Sequence, residues 1–212
     1  MATPPTPARR DDRRRSTQRD AVTIPATPLE MVSFVSVDVE TTGLDPKRDR
    51  IVEIGAVKTR AGKILDEWST LVTIDITIPY AAARVNQITN DMLVGQPLIE
   101  DALAMLHAFT GDGTLVEHSW KAFDLPFLEE AHGGAFSVLA INTCTLSRQL
   151  FPFRRKHSLE ECCRRHQIAN RQQHRALGDA RATAELLLAF LPLCVGRYPR
   201  LNDLAAIAAV ER

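Results

Sequence analysis

The sequence predicts a mixed α/β fold, a five-stranded sheet flanked by helices. Three observations lead there. Val35, Val37 and Val39 alternate with Phe34, Ser36, Asp38 and Glu40, the two-residue period of a strand. Two further extended runs, Arg50 to Lys58 and Lys63 to Val72, flank the tight turn Ala61-Gly62 and so read as an antiparallel hairpin. Beyond residue 97, short apolar strands alternate with helix-spaced segments. The resulting order, β-β-β-α-β-α-β-α-α, belongs to a mixed sheet with helices packed on it.

The elements follow in turn. Residues 1 to 29 are rich in Pro, Thr, Arg and Asp and poor in large apolar groups, so they are expected to form a disordered basic tail. The core begins near Met31, and the first strand runs to Glu40, where Thr41-Thr42-Gly43 breaks it. After the hairpin, Ile78-Pro79 ends the extended part, and Ala81 to Val94 is expected as short helical pieces around Asn86-Gln87-Ile88-Thr89. Pro97 suits a helix start, and Leu98, Ala102, Leu103, Leu106 and Phe109 share one helical face. Gly111-Asp112-Gly113 turns the chain into a buried strand, Thr114 to Val116. Leu125 to Ala131 follows as a helix, Val138 to Ile141 as the fifth strand and Thr143 to Leu150 as a short helix. Ser158, with Glu161 three residues on, has the capping-box pattern of a helix ending near His166. Ala176 to Leu191 is a strong helix expected to stop at Pro192, and Leu201 to Val210 a last short one. The expected organisation is a tail at 1–29, one domain at 30–192 and a C-terminal extension with a short helix at 193–212.

At 212 residues and 45% hydrophobic, the chain suits one domain with an ample core. No apolar run approaches a membrane span, and the first twenty residues lack the apolar stretch of a secretory signal. Cys144, Cys162, Cys163 and Cys194 show neither a CxxC pair nor zinc spacing, which points to reduced thiols in a cytoplasmic protein. The net charge of zero is unevenly spread. Residues 1–20 hold six Arg and three Asp, a net of +3, so the remainder carries −3. Residues 148–175 hold eight Lys/Arg against two Glu, a net of +6. Clustered acids in one place and a basic segment in another suit a metal beside a phosphate.

Asp38 and Glu40, two residues apart on a strand, leave the same face. Paired carboxylates repel unless a cation sits between them, and an all-oxygen set favours a hard ion such as Mg²⁺ or Mn²⁺. The plainer alternative is an edge strand with two solvated acids. Asp179 falls in the first turn of the long helix, where the dipole favours an anion, with His174 five residues earlier in a loop. Glu53, mid-strand, is expected in a hydrogen-bonded structural role.

Taken together, Asp38-x-Glu40-Thr41-Thr42-Gly43, the Asp of Phe123-Asp124, and His174-x4-Asp179 resemble the three motifs of the DnaQ-like 3′–5′ exonucleases, DEDDh subgroup. The likeness is greatest to the epsilon-subunit-like exonucleases of DNA polymerase III and spans residues 31–192. Ile51 to Val57 and His157-Ser158-Leu159 look like the family's linking segments. The resemblance implies a ribonuclease H-like fold and release of nucleoside 5′-monophosphates from the 3′ ends of single-stranded or frayed DNA. It implies that Asp38, Glu40 and Asp179 hold one Mg²⁺ or Mn²⁺, that Asp38 bridges to a second with Asp124 in support, and that His174 is the general base. Two such ions roughly 4 Å apart would clamp the scissile phosphate. The backbone at Thr41 would recognise the terminal 3′-OH, and Leu44 and Ile88 would wedge against the last base.

Two positions depart from the family pattern. Ser119 and one extra residue change the second motif, and Asn86-Gln87-Ile88-Thr89 stands where His-Gly-Ile-Thr is common. Trp120 is expected in the interior, the alternative being a base stacked on its indole. Arg154, Arg155 and Lys156 are candidates to track phosphates, which would make binding weaken with salt, the alternative being a solvated face. Among relatives of this kind, RNA is an alternative substrate, and a non-catalytic binding module is an alternative role. A DNA polymerase is a candidate partner and a dimer a candidate assembly; no membrane association is expected.

Overall fold

The computed structural model describes residues 24–136 and 139–210. Five strands form one sheet in the order β3-β2-β1-β4-β5. They are β1 (Phe34–Thr41), β2 (Ile51–Arg60), β3 (Lys63–Leu71), β4 (Thr114–Glu117) and β5 (Ala140–Asn142). β1 and β2 pair antiparallel, as do β2 and β3; β4 pairs parallel with both β1 and β5. The sheet is therefore mixed, as the sequence predicts. The helices are α1 (Tyr80–Asn86), α2 (Ile99–Thr110), α3 (Asp124–His132), α4 (Thr143–Leu150), α5 (Leu159–His166), α6 (Ala176–Cys194) and α7 (Leu201–Ala208).

The two-residue period divides the core into two layers. Val35, Val37 and Val39, with Ile54, Ala56 and Leu115, face α2 and α3 and meet Leu103, Leu106, Leu125 and Leu128. Phe34, Val116 and Ile141 face the other way, against Leu186, Leu187 and Phe190 of α6 and Leu201 and Leu204 of α7. Both faces of β1 are buried, as befits a strand between two helical layers. Residues 201–208 thus complete this second layer instead of extending beyond it. At the other end of the chain, Leu29 is buried in the same layer and Pro28 bridges Arg200. Residues 24–29 therefore pack onto the domain, while residues 1–23 of the expected tail lie outside the described residues.

One boundary and one cap differ from expectation. α6 continues through Pro192 to Cys194. A proline in the last turn forfeits only its own bond to the preceding turn, which costs less there than in mid-helix. β5 begins at Ala140, Val138 being outside the described residues, and Asn142 then caps α4 by accepting from Cys144 and Thr145 N–H. Ser158 accepts from Glu161 N–H at 3.4 Å, but the Glu161 carboxylate turns to Arg164 instead of closing the expected box. All four cysteines are free and buried. Among the described residues no helix is long and apolar enough to cross a membrane.

Candidate active site

Asp38 and Glu40 leave β1 on the face opposite its valines. Directly across the β1–β2 ladder on that face stand Gly55 and Glu53. Gly55 has a structural purpose: a Cβ there would lie 2.3 Å from the Ala176 carbonyl carbon and 2.4 Å from Leu177 N. Only a glycine lets the start of α6 settle onto the sheet at this point. That contact carries Asp179, in the first turn of α6, to the two acids of β1. One carboxylate oxygen from each of Asp38, Glu40 and Asp179 lies within 4.8 Å of the others.

The cluster is short of positive charge. Burial, and then the charges of Asp124, Asp179 and Glu40, hold the Asp38 carboxyl well above the usual carboxylate range. Burial, and then Asp179, push Glu40 to about 7. Burial raises Asp179 as well, against hydrogen bonds from Asn170 and the His174 N–H. Carboxyls that resist ionisation because they are buried, and because other acids lie beside them, are stabilised by a cation held among them. Three oxygens with no sulfur or imidazole suit a hard divalent ion. The donor set fits such an ion.

Asp124 lies beside this group but outside it. It opens α3, and its Oδ1 accepts from Val39 N–H at 3.0 Å, which ties the helix start to β1. Burial and the neighbouring Glu117 raise its carboxyl. The extra residue in the second motif has therefore not displaced it from Asp38. His174 is exposed in a left-handed backbone conformation, φ 61°, and its N–H donates to Asp179 Oδ2 at 2.9 Å. The ring thus belongs to a residue tied by its own backbone to a cluster carboxylate. Thr41 ends β1 at a register shift, its hydroxyl donating to Gly43 O. Leu44, 84% exposed, projects from the turn that follows.

Ile88 requires a correction. It is fully enclosed with Val52, Ile78 and Leu93 and presents no surface to a substrate. Its apolar side chain anchors the segment between α1 and the 3-10 turn at Asn90–Leu93. The same segment contributes instead through Asn86, which hydrogen-bonds Glu40 and reaches the Thr41 carbonyl at 3.5 Å. Gln87, where the family pattern has glycine, takes φ 59°, a conformation a glycine holds without strain. Trp120 is the second correction: it is 73% exposed, with the Arg148 guanidinium 3.7 Å from its ring centre.

Three further polar residues brace the site and its flanking loops. Asn170 donates its amide to Asp179 Oδ1. Glu53 accepts two bonds from Arg175, at 3.0 and 2.7 Å, and a third from Ala176 N–H at 3.0 Å. This matches the structural role expected of Glu53 and clamps the loop carrying His174 to β2. His118 uses both ring nitrogens, one toward Thr143 Oγ1 at 2.8 Å and one toward the His157 carbonyl at 2.9 Å. Burial lowers its pKa to about 4, so it stays neutral and acts as a strut.

Comparison with known proteins agrees with this geometry. A family model described as exonuclease matches residues 35–187. The chain is 38% identical over 157 residues to the PolC-type DNA polymerase III of Clostridium perfringens, which is 73% of this chain and 11% of that protein. It therefore spans about a tenth of that much longer relative. Over 163 residues it is 35% identical to DNA polymerase III subunit epsilon of Aquifex aeolicus, 75% of this chain and 80% of that one. Among solved structures, exonuclease X in complex with 5′ overhanging duplex DNA superposes with a TM-score of 0.68 at 29% identity. That match covers 84% of this chain and 99% of the other.

Proposed function

This chain belongs to the exonuclease family, and on that premise we propose a specific activity. It is a 3′–5′ exonuclease that uses two divalent ions, Mg²⁺ or Mn²⁺, to release nucleoside 5′-monophosphates from single-stranded or frayed DNA ends. The observation that carries the reading is the convergence of Asp38, Glu40 and Asp179, brought from β1 and α6 to within 4.8 Å of one another.

When bound, such ions supply Lewis acidity toward a phosphate and make a neighbouring water more acidic. Asp38, Glu40 and Asp179 would hold one ion, and Asp38 with Asp124 would hold the other. Asn170 and the His174 N–H fix both oxygens of Asp179, so the carboxylate cannot rotate away from the cluster. His174 takes the proton from the attacking water through a ring nitrogen, since an imidazole exchanges protons near neutral pH. Its exposure at the rim lets it meet a water arriving from solvent. The backbone at Thr41 receives the terminal 3′-OH, and Leu44 lies against the last base. An apolar wedge reads no sequence, as a general exonuclease requires.

The epsilon relative is a subunit of DNA polymerase III, which supports a place beside a polymerase. The exonuclease X complex supports action at the end of a duplex. The test is digestion of matched single-stranded DNA, duplex DNA and RNA, labelled at either end, with Mg²⁺, Mn²⁺ or chelator. Mononucleotides should leave the 3′ end of DNA first, only with metal. Metal-independent cleavage, or loss from the 5′ end, would refute the proposal; faster digestion of RNA would move it to an exoribonuclease.

A further inference from the structure

Trp120 is an unusual residue to leave in water. Its loop is held rigidly at the base. Ser119 donates to Glu117 Oε1 at 2.7 Å, its carbonyl accepts from Asn142 at 3.0 Å, and the adjacent His118 is fixed through both ring nitrogens. An anchored loop that nonetheless exposes its indole keeps a large apolar surface available. One ring face is covered by Arg148, whose Nη2 also donates to Cys144 Sγ at 3.2 Å. Since the residue remains 73% exposed, the free surface is the opposite face and the ring edge.

We infer that this face is a stacking platform for a nucleobase of the single strand, a few nucleotides upstream of the reacting 3′ end. The inference rests on the nuclease reading above and adds a strand-binding subsite to it. Three observations support it. Trp120 lies four residues before Asp124, so the two Cα atoms are at most about 14 Å apart even along a fully extended chain. The platform therefore lies within reach of a strand whose 3′ end sits at the acidic cluster. Second, the Arg148 cation on the far face adds positive charge along the path of a polyanion, and guanidinium–indole stacking keeps the ring in place. Third, the His157 carbonyl that anchors His118 closes the basic loop 153–156. Arg154, Arg155 and Lys156, all exposed, thus belong to a loop whose end is fixed to the residue two before Trp120. A stacking ring followed by a run of cations is the chemistry by which single strands are held without regard to sequence.

The chain has two tryptophans, and Trp68 lies stacked on Phe109 in β3. Trp68→Phe therefore leaves Trp120 as the only indole reporter. The experiment titrates this protein with oligo(dT) and oligo(U) in chelator, following indole emission and, separately, anisotropy of a labelled strand. Emission should quench as the strand binds. Trp120→Ala should raise the Kd of a long strand by about fivefold to a hundredfold, the span expected for one stacked base. Trp120→Phe should recover most of that loss, and the long strand's KM advantage over a dinucleotide should disappear in Trp120→Ala. The tighter of the two oligomers identifies the platform's strand as DNA or RNA. Strand binding with unchanged emission, or a Trp120→Ala Kd within twofold of the parent, overturns the platform while leaving the nuclease proposal intact. Failure of the parent to bind either strand overturns the platform, and the nuclease proposal falls with it only if the metal-dependent digestion also fails.

Discussion

Glu53→Ala should destabilise the protein and slow hydrolysis although Glu53 is no metal ligand. The residue is buried and accepts three hydrogen bonds, two from Arg175 and one from Ala176 N–H. Ala176 opens α6 and is fully enclosed, so its N–H finds no water once the carboxylate is gone; an orphaned buried donor costs about 1–3 kcal/mol. Breaking a buried ion pair costs about 3–5 kcal/mol, but Arg175 is 39% exposed and turns to solvent, so only a fraction applies. Removing one anion near Glu40 also relieves some repulsion. The balance is about 2 kcal/mol, or a Tm drop of about 4–8 °C for a chain of this size. Glu53→Gln keeps an acceptor for Ala176 and should lose about half as much. Urea unfolding at neutral pH measures both. In the Ala variant kcat should fall further than stability alone explains, because Arg175 no longer anchors the loop bearing His174. A Glu53→Ala protein within about 0.5 kcal/mol of the parent would refute the clamp, as would a Gln variant equally damaged.

Other outcomes follow from the same geometry. Asp38→Asn should abolish metal-dependent hydrolysis yet raise the melting temperature in chelator, since a buried carboxyl that folding holds among other acids is gone; a lower melting temperature would contradict the electrostatic account. In the metal-free protein the Glu40 carboxyl holds its proton up to about 7, above its value of 4.5 in an open chain. The folded form thus binds a proton that the unfolded form has released, a stabilisation present at low pH and lost as pH rises through 7. Thermal melts in chelator should decline across that interval, and saturating Mg²⁺ should flatten the decline; a rise with pH would reverse the sign. Leu44→Ala should leave stability unchanged, given its exposure, while raising KM for single-stranded ends. An unaltered KM would remove Leu44 from the substrate path.

The sequence displayed the cluster because its parts obey local periods. Asp38 and Glu40 share a face by strand alternation, and Asp179 sits in the first turn of a helix readable from its apolar spacing. Gly55 turns that likeness into contact, through a closeness to Ala176 that no one-dimensional pattern displays. Ile88 departs from expectation because its type says nothing about which side of a short irregular segment faces the core. Trp120 departs for the opposite reason: large aromatic residues are mostly buried, and the hydrogen bonds that anchor its loop with the ring outside are invisible in the sequence. Asn86 and Asn170 carry neither charge nor period. Their value appears only when Glu40 and Asp179 are in place to accept from them.

Mn²⁺ titration calorimetry at pH 7, repeated in buffers of different ionisation enthalpy, tests the central claim most directly. Carboxyls held up by burial and by one another should give up protons as the ion enters, so the measured heat should vary with the buffer, and Asp38→Asn should remove the binding. Binding unaffected by that substitution, or no binding in the parent, would contradict a metal centre built from Asp38, Glu40 and Asp179.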